Sequence, residues 1–412
     1  MRRIRPEISF LIVLVIILAG GTGLTWVNQN ILVPLGGDQV YAPIWEASRV
    51  AMDARTADPY SLQAVQRSAM LLGEGETPRF VYPYYSLVLF GPFARISPYS
   101  LSRAIWMTFG FFCAVGLAFT AVQLTRWRPG VMGTLFFVLF AFGRVEVIRA
   151  LWLGNPSLVV SLIVAVAMLL VIRERDVGAG VLFGLSMIKP QMVALLLPFV
   201  LIWAVSKRRM ALVWSMLGVI VVLLAGSLVI APQWLVTNYL ALLDFYQAGF
   251  PSSPAAFVWV WLPDAGPWAM GVPAILLVGV MLISWWAALG RDERWFLWTA
   301  ALTLVITELI GLPASLSSQV VLVIPFVLVF SVWAQRWPRQ GRQLSQVVMA
   351  LVLAAQWGLF WMTMGGDLAG RPADVFWFLT PVTALVLLYW VRYWALASIQ
   401  LRTGHLEALR RL

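Results

Sequence analysis

The chain has 412 residues, of which 61% are hydrophobic and only 11% charged, with a formal net charge of +11. Soluble globular domains sit near about 45–50% apolar and about 25% charged residues, so a water-soluble fold is excluded and lipid must cover much of the surface. One cysteine, Cys113, and one histidine, His405, provide no internal disulfide, no Cys/His metal cluster and no basis for Ser-His-Asp or Cys-His catalysis.

In chain order, Ile8 to Val27 follows Arg2, Arg3 and Arg5 and reads as a retained first membrane helix rather than a cleaved signal peptide. A span needs roughly 20 apolar residues. Further runs lie at 99–124, 130–148, 154–172, 177–188, 190–206, 210–230, 268–289, 295–312, 317–334, 345–363 and 376–396. The expectation is an all-α, polytopic membrane protein of about 12 transmembrane or re-entrant helices, forming one domain over 1–412. The runs on either side of Lys189 are short and divided by Pro190, so they read as a helical hairpin or as two short spans.

Two connections are long, 29–98 and 231–267. In the first, Tyr41, Ile44, Ser48, Ala51 and Met52 share one helical face. Asp58-Pro59 then reads as an N-cap with proline at the first helical position, followed by Leu62, Val65, Ala69 and Leu72 on one face and a stop at Gly73. Both segments are expected to lie on the membrane surface. Phe80–Ile96 carries Pro83, Gly91 and Pro92, and the sequence leaves open whether it crosses or re-enters. In the second connection, Tyr239, Phe245, Tyr246, Trp259 and Trp261 read as interface anchors, with stacking on a sugar as the alternative.

Charge then orients the chain. With a cytoplasmic N-terminus and Phe80–Ile96 not crossing, Arg126/Arg128, Arg173/Arg175, Lys207/Arg208/Arg209, Arg291/Arg294, Arg336/Arg339/Arg342 and the tail arginines all fall inside. The net positive charge therefore reflects membrane orientation and implies no nucleic-acid partner. Both termini are expected in the cytoplasm of a cell with this protein in its plasma membrane, and both long connections outside.

Few ionisable groups remain for chemistry. Asp38 follows Gly36-Gly37 directly after the first span, where its carboxylate could take a proton from a hydroxyl or simply cap the next helix. Glu146 lies between Arg144 and Arg149; it is either paired with an arginine, or the arginines bind an anionic headgroup. Gly154-Asn155-Pro156-Ser157 reads as a helix start with Asn155 as N-cap. Lys189, one of only two lysines, lies between apolar runs and needs a carboxylate, carbonyls or an anionic ligand unless it snorkels. Glu308 sits inside an apolar span, and Ser315 to Gln319 follow it with hydrogen-bonding groups.

This layout resembles the GT-C superfamily of membrane glycosyltransferases, and within it glycosyltransferase family 87. The resemblance is carried by Asp38-Gln39-Val40-Tyr41, by Asp58-Pro59-Tyr60 with Phe80-Val81-Tyr82-Pro83-Tyr84, by Gly154-Asn155-Pro156-Ser157, and by Ala179 to Gly184 running into Ile188-Lys189-Pro190. It implies an inverting transfer of a hexose, mannose in the family, from a polyprenyl-phosphate sugar to a lipid or glycan acceptor on the extracytoplasmic side. Asp38 matches the family's first-loop aspartate and would be the general base. Lys189, Arg144 and Arg149 are the cations available to the leaving phosphate. Tyr41, Glu146, Asn155 and Gln319 complete the candidate site. No cofactor or metal is implied, since a lipid phosphate is a good leaving group. The family's Gly-Gln-x-Asn pattern stands here as Gly154-Asn155-Pro156-Ser157, and Ser318 and Gln319 occupy the region where some members carry a histidine. Two other readings compete: a lipid or solute transporter or flippase, with Lys189-Pro190 as a midplane helix break, and a non-catalytic membrane scaffold.

Overall fold

Every regular element among the described residues is helical, as lipid requires of a backbone that must satisfy its own hydrogen bonds. The computed structural model describes residues 18–37, 39–53, 58–72, 79–247, 253–262, 264, 267–312, 315–364 and 373–397. Six helical stretches are long and apolar enough to cross a membrane: Tyr99–Thr125, Met210–Ile230, Gly271–Ala288, Leu316–Arg336, Gln340–Thr363 and Phe376–Leu396. A bent pair, Val131–Gly143 and Val145–Leu153, meets at 45° and makes a seventh if counted as one span. The other expected spans in the described residues include shorter apolar helices: Ser157–Ile172, Asp176–Ile188 and Leu196–Ser206.

The described chain forms two compact units. Unit 1 comprises Met1–Cys113, Leu151–Pro156 and Ser227–Leu242, and unit 2 comprises Ala114–Ala150, Ser157–Gly226 and Leu243–Leu412.

Unit 1 opens with α1 (described from 18 to 27), which widens into a π-helical turn at Asn28–Leu32 and tightens into a 3-10 turn at Val33–Leu35. Helix α2 (Tyr41–Met52) buries Tyr41, Ala42, Pro43, Ile44, Trp45, Glu46, Ala47, Ser48 and Val50. It is therefore an interior helix of the unit, buried on more than the one face that its pattern marked. Its large rings seek partners on more than one face: Tyr41 stacks near Tyr99 and Trp106, and Trp45 meets Tyr99 edge-on at 5.2 Å.

Helix α3 (Leu62–Leu72) buries Ala64 and Ser68 and not the expected face of Leu62, Val65, Ala69 and Leu72, of which Leu62 is exposed. Its start differs from expectation. Asp58 accepts the Tyr60 backbone N–H at 3.0 Å in a tight turn, and Ser61 Oγ accepts from Ala64 N at 3.4 Å. Asp58-Pro59 is thus a turn before the helix, because Ser61 lies directly before the first helical residue. The expected stop, Gly73, lies outside the described residues. Tyr84–Ser86 and α4 (Leu87–Ala94) make the 80–97 segment a short helix of 11 residues, only about 16 Å long, too short to cross a bilayer core.

Helices α5 (Tyr99–Thr125), α6 (Val131–Gly143) and α7 (Val145–Leu153) precede α8 (Ser157–Ile172). In unit 2 the Lys189 region is a hairpin. Helix α9 (Asp176–Leu185) and a 3-10 turn (Ser186–Ile188) run to Lys189, and α10 (Pro190–Val193) and α11 (Leu196–Ser206) run back. Proline suits the first position of α10, where a helix has no use for its N–H. The two feet are tied together, since Arg209 Nε donates to Asp176 Oδ1 at 2.8 Å. Helix α12 (Met210–Ile230) packs directly on α9 through Gly180 and Gly184, where added side chains would run into Ser215, the Leu212 carbonyl and Val219. Helices α15 (Pro267–Ala288), α16 (Glu293–Leu309), α17 (Val323–Arg336), α18 (Gln340–Met364) and α19 (Leu379–Leu396) complete this unit, with α16 buried from Phe296 to Leu309 against α15, α17 and α19. Helix α13 (Trp234–Gln247) belongs mostly to unit 1, and α14 (Pro254–Trp261) belongs to unit 2.

Candidate functional site

In unit 2, four charged side chains gather where the N-terminal end of α8, the Lys189 hairpin tip and the 3-10 turn Leu316–Leu322 before α17 come together. Lys189 is only 2% exposed. Its Nζ donates to Ser157 Oγ at 2.6 Å and to Ser318 Oγ at 3.0 Å. Glu308, buried near the end of α16, is the carboxylate whose charge acts on it. The hairpin explains the placement: a helix break at Lys189-Pro190 frees the residue from two continuous apolar walls and points it at the start of α8.

Arg144 and Glu146 flank the bend between α6 and α7 and are also buried. Arg144 Nη1 donates to Glu146 Oε1 at 2.8 Å, and Nη2 donates to the Val320 carbonyl at 3.1 Å. The guanidinium lies 5.2 Å from the Phe140 ring centroid. Gln356 of α18 reads the same carboxylate: its Nε2 donates to Glu146 Oε1 and to Thr380 Oγ1, both at 3.2 Å, while its Oε1 accepts from Val145 N. Gln319 Nε2 donates to the Trp377 carbonyl at 3.2 Å. A cavity of about 10 Å³ touches Arg144, room for one water at most. Several acceptors and hydroxyls here have no hydrogen-bond partner among the described residues: Glu146 Oε2, Glu308 Oε1, Gln319 Oε1, Ser161 Oγ and Ser317 Oγ. Buried polar groups left this way are rare and mark places where a ligand or water acts.

The fold brings Arg144, Glu146, Lys189, Glu308, Ser318 and Gln319 together as a buried polar cluster, and Arg144 takes the paired alternative. Arg149 does not join them; it is exposed on α7. Two members were missed, Gln356 and Ser157 as a lysine partner. A lone amide inside the apolar run 345–363 was the available signal for Gln356.

In unit 1 the candidates are Tyr41 and Asn155, both buried. Asp38 itself lies outside the described residues, and its flanks, Gly36 and Gly37, have φ of +90° and +93°. Tyr41 donates or accepts a 2.7 Å hydrogen bond with Ser102 Oγ, and its side chain packs on Gly154, where a Cβ would come within 2.7 Å of Tyr41 Cβ. Gly154 has φ +68°, so glycine is required there on both counts. Its carbonyl accepts from Trp106 Nε1 at 2.8 Å. Helix α8 begins at Ser157, so Asn155 stands one residue ahead of the capping position expected for it. Glu46 is a buried acid in this unit; burial raises its carboxyl pKa, with the charges of Arg49 and Arg67 acting against that shift. Arg103, fully buried on α5, is the other group the sequence did not single out, although an arginine five positions into an apolar helix is itself a signal.

Tyr60 Oη donates to the Tyr82 carbonyl at 2.7 Å, and Asn238 Nδ2 donates to the Val81 and Tyr82 carbonyls at 3.2 and 3.1 Å. Of the second-connection aromatics, Trp261 packs at 5.2 Å on Phe376 and Tyr239 is exposed, while the side chains of Phe245, Tyr246 and Trp259 lie outside the described residues.

No curated protein matches the chain. The model of glycosyltransferase family 87 matches residues 80–313, a stretch that holds α4 to α16, the Gly154-Asn155 turn and the buried Arg144, Glu146, Lys189 and Glu308. That match spans more than half of the sequence, and the chain belongs to glycosyltransferase family 87.

Proposed function

We propose that this family 87 glycosyltransferase moves a hexose, mannose in the first instance, from a polyprenyl-phosphate sugar to a hydroxyl of a lipid or glycan acceptor at the extracytoplasmic face. The acceptor oxygen attacks the anomeric carbon in line and its proton passes to Asp38. The new glycosidic bond forms as the bond from the anomeric carbon to the phosphate oxygen breaks, and polyprenyl phosphate leaves with the electron pair. One displacement inverts the anomeric centre.

The observation that carries the reading is Lys189. A buried ammonium held by the hydroxyls of Ser157 and Ser318 can exchange those neutral partners for phosphate oxygens. Arg144 is already engaged by Glu146 and the Val320 carbonyl, so it serves better as a fixed positive potential than as a direct clamp. Arg149, exposed, is the candidate for first contact with the headgroup. Orientation is supported by the loops 126–130, 173–175 and 207–209, which hold clusters of basic residues, and by Arg291 and Arg294, all following the positive-inside pattern with both termini cytoplasmic. Helix α3 and the short α4 then belong to the extracytoplasmic connection.

The test is transfer in proteoliposomes with radiolabelled polyprenyl-phosphate sugars and a mixed acceptor extract. Wild type should transfer, and a folded Asp38→Asn variant should not, because asparagine keeps the size and capping ability but cannot take the proton. Equal transfer by both would remove Asp38 from the mechanism and turn attention to Glu46. An inactive wild type with every donor would sink the reading and favour lipid transport.

A further inference from the structure

Arg103 is 0% exposed, and its guanidinium bonds to main-chain carbonyls at two separate helix ends in unit 1. Nη1 donates to the Val33 carbonyl at 3.2 Å. Nη2 donates to the Gly36 carbonyl at 2.5 Å and to the Trp152 carbonyl at 3.2 Å. Val33 and Gly36 end the first helix, two residues before Asp38, and Trp152 lies two residues before Gly154-Asn155.

The loop needs such a clamp. Helix ends leave carbonyls without intrahelical donors, and here the helix ends in a π-helical turn followed by a 3-10 turn. Gly36 and Gly37 both adopt positive φ, a pair with little intrinsic stiffness. The Trp152 indole sits so close to Gly37 that any side chain there would collide with it. Arg103 and Trp152 thus hold the glycine pair from two sides. A guanidinium suits the task because its planar fork carries several donors in fixed directions; a lysine ammonium on its flexible stem would not span the same three carbonyls.

We propose that Arg103 is a positioning residue for glycosyl transfer: it fixes the Gly36-Gly37 pair, and so the aim of Asp38, and ties that loop to the Trp152–Asn155 turn. This rests on Asp38 acting as the base. The interaction is between a buried cation and dipoles at a helix C-terminus, an arrangement that also favours the positive charge.

The test uses the full chain in lipid nanodiscs with Arg103→Gln and Arg103→Lys, the latter keeping the charge and serving alone if the glutamine variant does not fold. In hydrogen–deuterium exchange, peptides spanning 33–41 should exchange at least about tenfold faster than in wild type, while α8 and α16 stay unchanged. Transfer assays should show kcat down about 100-fold, the size of effect that a small misplacement of a reacting group produces. KM for the lipid donor should stay within about twofold, since ground-state binding is untouched. Arg103→Gln added to Asp38→Asn should slow the enzyme no further than Asp38→Asn alone. Unchanged exchange and unchanged kcat would overturn the proposal while leaving an inactive Asp38→Asn variant, and the base assignment, intact. A fully active Asp38→Asn variant would remove the base assignment and the role of Arg103 with it. A drop in Arg103→Gln that multiplies with that of Asp38→Asn would show that Arg103 acts by some route other than Asp38.

Discussion

Glu146 shows how a charge is kept inside an apolar fold. Its Oε1 accepts from both Arg144 and Gln356, and Arg144 Nη2 donates to the Val320 carbonyl in the 3-10 turn before α17. Desolvation makes such a pair poor net stabilisation, but removing one partner leaves a bare buried charge. Arg144→Met and Glu146→Gln should therefore each cost about 3–5 kcal/mol, and the double variant less than their sum. Denaturation in detergent reads this directly; simple additivity would mean that the two side chains do not depend on each other. Charges in apolar runs were easy to find in the sequence, because each is costly in lipid. Their partners were not, because Lys189 meets Ser318 across 129 residues and Gln356 meets Glu146 across 210. Nothing local in Ser318 or Gln356 distinguishes a ligand from a solvated polar group.

Among the elements, the α9–α11 hairpin presents the sharpest contrast between neighbouring glycines. Gly180 of α9 has the Leu212 carbonyl and Ser215 of α12 in the space of its missing side chain, whereas Gly218 of α12 faces open space. Gly180→Val should force the helices apart at a cost of about 3 kcal/mol or more. Gly218→Ala should be neutral or stabilising by up to about 1 kcal/mol through helix propensity. Thermal unfolding of both variants checks the difference, and equal losses would mean that α9 and α12 are not in contact in the membrane. The hairpin was legible because Pro190 interrupts two runs that are each too short to span. The burial of helix α2 exceeds what its sequence showed, because its period marks one apolar face, while Trp45 and Glu46, off that face, are buried too.

For the whole molecule, orientation is the open quantity that charge patterning predicts. In a Cys113→Ala background, cysteines placed at Glu174 and Arg208 should react with an impermeant maleimide only in inverted vesicles, and one at Gln39 only in intact cells. Labelling of all three from one side would reject the proposed topology and the extracytoplasmic reaction with it. Positive-inside bias acts through whole loops during insertion, so it survives ignorance of the tertiary contacts.

Sequence alone determined that the chain lives in lipid, that it is helical, where prolines break its helices, and which ionisable groups sit at depth. Each of these follows from local hydropathy and backbone chemistry. Tertiary structure decided which faces meet protein. The stretches Met210–Ile230 and Leu316–Arg336 have similar mean hydropathy, 2.5 and 2.1, yet 17% of one and 94% of the other is buried. In a bilayer an apolar face is equally content against lipid or against a neighbouring helix, so hydrophobic pattern cannot tell them apart. Only the fold brings Arg103 to the carbonyls of Gly36 and Trp152, and Lys189 to two serines.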